Sequence, residues 1–243
     1  MQAEWADDEA LGVAREQREV HLAAFRRLRA EIDAFAPDLV LIFGDDQYEN
    51  FREECIPPFC LHIYDAITAL PFHDEPAGMG RPTVSGRPPN EPRAFRGHRP
   101  AALHLARALH QRGCDLPYAF RPRHPTGLAH AHLNTVMFLD YDLQGFPYPL
   151  VPISVNCLGS DVFERLGVRR DGAPEEAPPP APSPACAFAL GQAIREILEA
   201  SPWRAVIIGS SAWSHSFLTR KTYGLWPDVA ADRARLAELR AGE

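Results

Sequence analysis

The stretch Pro37-Asp38-Leu39-Val40-Leu41-Ile42-Phe43-Gly44-Asp45-Asp46-Gln47-Tyr48-Glu49-Asn50 changes character at Gly44. Before it lies a short, almost wholly apolar run; after it lies a polar loop. A run of that length without polar alternation fits a strand covered on both faces, as in a parallel sheet. A strand is therefore expected over 38–43, with a loop at its carboxyl end. Upstream, Leu22, Phe25, Leu28, Ile32 and Phe35 recur at spacings of three and four, with Arg26, Arg27, Arg29 and Glu31 between them. That period predicts a helix over 5–36, stopped by Pro37.

The same alternation continues downstream. Apolar periodicity predicts helices over 99–112, 127–139, 185–200 and from 228 to the end, with strands near 115–120, 148–156 and 204–209. Short apolar strands alternating with helices imply an α/β fold: a single domain over 1–243 with a largely parallel sheet flanked by helices. Residues 71–100, rich in Pro, Gly, Arg and Asn, read as a long irregular excursion, and 171–184 as a Pro-rich surface loop.

Composition narrows the partners. The chain has 243 residues, 46% of them hydrophobic, and a formal net charge of -7, with arginines scattered among acids rather than gathered in a basic patch. Neither nucleic acid nor an anionic membrane is an expected partner. No apolar run approaches the roughly 20 residues that span a bilayer. The acidic, polar first residues argue against a secretory leader, and the expected location is cytoplasmic. The five cysteines, Cys55, Cys60, Cys114, Cys157 and Cys186, are odd in number and form no C-x-x-C pair. They read as small apolar residues in a reducing compartment.

In α/β sheets ligands collect beyond the carboxyl ends of strands, so three post-strand segments are candidate sites. In the first, Asp45 and Asp46 could hold a cation or orient a base, or could cap backbone amides in a turn. In the second, His130 and Asn134 lie four apart, on one face of a helix, while His132 points elsewhere. In the third, Gly209-Ser210-Ser211 leads to Ser214 and His215. Adjacent Ser and His rarely make a nucleophile–base pair, and the elbow motif of serine hydrolases is absent, so serine hydrolysis ranks last.

Taken in order, these blocks resemble the class III extradiol ring-cleavage dioxygenases, the family of the protocatechuate 4,5-dioxygenase β subunit. Phe43 to Phe51, continuing through Pro57-Pro58-Phe59-Cys60, resembles the second motif block; Gly127-Leu128-Ala129-His130 through Leu139 sits where that family has its Asp-His-Gly block. Val151 to Asn156 is similar to the Leu-Pro-Val strand, and Ile208 to His215 to the Gly-Gly-Leu-Ser-His block. The resemblance covers about residues 20–220. It implies an Fe(II)-dependent dioxygenase that opens a small aromatic diol with O2, as a possible homo-oligomer. His130 and His215 would be the acid/base residues, with Asn134 and Ser214 at the substrate. It also marks departures. Gln47 stands where the family has an iron-binding histidine, and the family's other histidine and glutamate ligands have no counterpart here. Gln47 and Asp46 are the residues expected beside the metal, and the chain is expected to be truncated at both ends. The alternative is a catalytically silent homologue acting as a binding or partner subunit.

Overall fold

The apolar run after Pro37 is the middle of the sheet. In a computed structural model that describes residues 10–46, 49–52, 54–70, 91–124, 127–155, 181–211, 213–214 and 220–242, it forms β1 (Leu39–Asp45). Two strands flank it in parallel, β6 (Leu150–Val155) and β7 (Ala205–Ser210), with Leu41 opposite Val151 on one side and Ile207 on the other. Leu39 to Ile42 are fully buried, as a strand packed on both faces requires.

Among the described residues the sheet has five strands, in the order β5 (Tyr118–Ala119), β2 (Phe59–His62), β6, β1 and β7. The α/β architecture and the largely parallel sheet are as expected: β1–β6, β1–β7 and β2–β5 pair in parallel, and β2–β6 is the antiparallel pairing. β2 was not anticipated, because Pro57-Pro58 reads as loop and masks the apolar run behind it. A second unexpected element is the antiparallel hairpin of β3 (Ala66–Ala69) and β4 (Arg93–Arg96). It replaces part of the predicted irregular excursion, of which residues 71–90 lie outside the described set. The strand expected over 115–120 shrinks to two residues. Most of the Pro-rich 171–184 segment also falls outside the described residues.

Helices cover both faces. On one face, α2 (Arg99–Gln111) and α4 (Pro184–Glu199) pack Leu105, Leu109, Leu190, Ile194 and Ile197 on Leu39, Leu41, Leu61 and Ile153. Both helices begin with proline in the first turn and a side-chain cap. His98 Nδ1 accepts the Ala101 amide, and Ser183 Oγ accepts the Cys186 amide. On the other face, α3 (His130–Leu139) and the β3–β4 hairpin set Leu133, Val136, Ile67 and Phe95 on Val40, Ile42 and Leu150. α1 (Leu11–Phe35) lies over α3, stacking Phe25 on Phe138, and ends at Ala36, whose positive φ of 49° turns the chain into β1. α5 (Val229–Ala241) buries none of its residues. No helix among the described residues is long and apolar enough to cross a membrane.

Two glycines set how closely the layers approach. At Gly44 a Cβ would lie 2.8 Å from Ala131 Cβ and 3.2 Å from His132 Nε2, so only glycine lets α3 close on β1. Gly127, with φ +79°, brings the chain against the Thr68 carbonyl, where a Cβ would sit at 2.4 Å. Together they fix the start of α3 over the carboxyl end of β1.

Candidate active site

That junction gathers the polar groups. Asp45 ends β1, Asp46, Glu49 and Asn50 follow, and His130 and His132 lie in the first turn of α3. His130 is held twice by one carboxylate. Glu49 Oε1 accepts the His130 backbone N–H at 2.7 Å, and Oε2 meets ring Nδ1 at 2.9 Å. The ring is one-third exposed, and its Nε2 lies 3.9 Å from Asp45 Oδ1. The hydrogen bond to Glu49 raises the His130 pKa above the ordinary histidine value, against the opposing effect of partial burial; the charges of Glu49, Asp45 and Asp46 add to it.

Asp46 is fully buried, and its carboxylate accepts the backbone amides of Glu49 (3.0 Å), Asn50 (3.1 Å) and Phe51 (3.4 Å). This is the amide-capping turn that adjacent aspartates allow. Burial raises its pKa, and the amides pull it back. Gln47 lies outside the described residues. Among the described residues no group of three or more His, Cys, Asp or Glu is arranged to hold a metal ion. The described residues do not fit an iron bound by two histidines and a carboxylate.

Beside this junction lies a buried polar cluster that sequence reasoning missed. His62 of β2 lies between two hydroxyls, with Nδ1 2.8 Å from Tyr64 Oη and Nε2 2.8 Å from Ser154 Oγ. His132, fully buried, turns its Nε2 to the Ile153 carbonyl at 3.2 Å, and its Nδ1 has no partner. The two rings meet edge to face at 6.1 Å. Burial lowers the pKa of His62 to about 3 and of His132 to about 4, so both are neutral imidazoles at neutral pH. The nearby Cys60 thiol is pushed up to about 12 by burial. Only a histidine inside the apolar run from Phe59 to Tyr64 could have hinted at His62. For Glu49 the partner stands 81 positions away, and no local pattern reveals it.

The other candidates lie on α3 and on the segment after β7, whose Ser210 hydroxyl donates to the Ala131 carbonyl at 2.7 Å. Asn134 is exposed, one turn along α3, and lines an apolar groove of about 720 Å³ between α1 and β7 with Phe25, Leu28, Ile208 and Ser211. Ser214 gives its hydroxyl to Asp232 of α5 at 2.7 Å and its amide to the same carboxylate at 3.1 Å. His215 lies outside the described residues.

No family model matches the chain. Its sequence is nevertheless similar to curated bacterial proteins that share one name, 2,3-dihydroxyphenylpropionate/2,3-dihydroxicinnamic acid 1,2-dioxygenase. The protein of Comamonas testosteroni is 29% identical over 192 residues, covering 79% of this chain and 47% of the relative. That of Photorhabdus laumondii is 26% identical over 193 residues, with the same two shares. That of Burkholderia vietnamiensis is 27% identical over 226 residues, covering 93% of this chain and 56% of the relative. The chain spans about half the length of the curated relatives it matches. What it resembles along most of its own length is thus a set of dihydroxyphenylpropionate dioxygenases, at 25–29% identity.

Proposed function

We propose that this chain takes part in ring opening of a catechol-type substrate by O2, as an extradiol dioxygenase of the class III kind. The likeness to the dihydroxyphenylpropionate dioxygenases carries the proposal. The position of His130 supports it. In this reaction a ring C–C bond beside the diol breaks and both oxygens of O2 enter the product. The diol must give up protons as it binds, and protons must return as the ring opens. A partly exposed imidazole beyond the carboxyl end of a central strand can take and return a proton near neutral pH. Fe(II), the cofactor the resemblance implies, would need ligands from outside the described residues. The experiment is oxygen uptake by the purified chain with 2,3-dihydroxyphenylpropionate or catechol, with and without added Fe(II), alongside iron analysis. Uptake that forms a yellow ring-opened product is expected.

A second reading has its own observation. With Asp46 committed to three amides and no three-ligand group among the described residues, the chain fits a silent homologue that binds or partners. No bound iron and no uptake with Fe(II) supplied would favour it.

A further inference from the structure

A single carboxylate that grips both the backbone and the ring of one histidine restricts it more than either bond alone. Glu49 does this to His130 from the loop after β1, with its own side chain only 12% exposed. The backbone bond answers a need of the fold. His130 is the first residue of α3, so its amide has no intrahelical acceptor, and Glu49 supplies one from outside the helix. The ring bond fixes the tautomer. An ionised carboxylate only accepts, so Nδ1 must carry the hydrogen, and Nε2 becomes the nitrogen that exchanges protons. That atom points to the side of Asp45, at the rim of the junction.

We infer that Glu49 is a positioning residue, which clamps His130 with Nδ1 protonated and Nε2 presented for proton exchange with a bound diol. The substrate it serves rests on the ring-cleavage reading; the clamp rests on geometry. The charged groups acting on the ring are Glu49, Asp45 and Asp46 from β1 and its loop, with the neutral His132 on the same helix. β7 contributes no titratable side chain, since Ala205 to Ser210 contain none. α1 meets α3 at the far end, through Phe25 on Phe138 and Arg29 on the Leu139 carbonyl.

The test follows the imidazole of His130 by NMR in ring-labelled protein, with its signal assigned by comparison with His130→Gln. Wild type should show the Nδ1–H tautomer and titrate above the ordinary value. Glu49→Gln should lower that titration and mix the tautomers. Glu49→Asp, which keeps the charge on a shorter arm, serves if the first variant does not fold, and should recover part of the wild-type titration. An unchanged titration and tautomer in Glu49→Gln overturns the clamp. Where wild type takes up oxygen with 2,3-dihydroxyphenylpropionate, Glu49→Gln should lower kcat about tenfold, leave KM nearly unchanged and move the pH profile with the NMR titration. A profile that stays in place overturns the catalytic meaning. Wild type that takes up no oxygen overturns the ring-cleavage reading alone, because the titration still decides the clamp.

Discussion

Acidification should weaken this fold through its two buried imidazoles, and the effect can be isolated with one substitution. His132 is fully buried, with a folded pKa of about 4 against 6.5 for the ordinary side chain; His62 is lower still, at about 3. A histidine with a lowered folded pKa contributes stability that is complete above its unfolded pKa. That stability is lost as pH falls from 6.5 towards the folded values, because only the unfolded chain takes up the proton. At pH 5 the unfolded histidine is almost wholly protonated and the folded one scarcely at all, which costs about 2 kcal/mol per ring. Two groups oppose this. His130 gains stability as pH falls, since its folded pKa is raised, and protonation relieves the burial of Asp46, whose pKa is also raised. The wild-type profile therefore mixes opposite signs, and a difference profile separates them. His132→Leu removes one of the lowered groups and keeps a similar volume. Urea unfolding of wild type and variant should show the variant less stable at pH 7.5, where the bond to the Ile153 carbonyl is lost. Relative to wild type, it should then recover about 2 kcal/mol by pH 5. A stability difference that is the same at both pH values would refute the buried, neutral assignment of His132.

Three further outcomes follow from the packing. Gly44→Ala places a methyl 2.8 Å from Ala131 Cβ and should destabilise by about 1–3 kcal/mol, read as a lowered Tm. Asp46→Ala leaves three amides of the turn without their acceptor and should cost about 2–4 kcal/mol in metal-free protein; a side chain there only for a metal would leave that measurement unmoved. Thiol labelling of folded protein should modify the exposed Cys55 and Cys186 within minutes and spare the buried Cys60 until urea unfolds the chain. Early labelling at Cys60 would contradict its burial.

The sequence alone determined the layered α/β plan, because strand and helix periods are local properties of the chain. The run Leu39 to Phe43, the helix over 11–35 and the positions of α2, α3, α4 and α5 were all legible within a few residues. It also singled out the junction after β1 and the start of α3, since ligand sites in such sheets follow strand ends. Only the tertiary structure decided how those segments meet. The antiparallel entry of β2 was hidden behind Pro57-Pro58, and with it the burial of His62 against Ser154, 92 positions away. Glu49 looked like one more acid in a polar loop, and its grip on His130 exists only because Gly44 lets α3 settle onto β1. Asp46, a possible cation ligand on paper, spends its carboxylate on its own turn. Periodicity is written in neighbouring residues, whereas a hydrogen bond across 81 positions depends on how layers pack, and no local pattern encodes that.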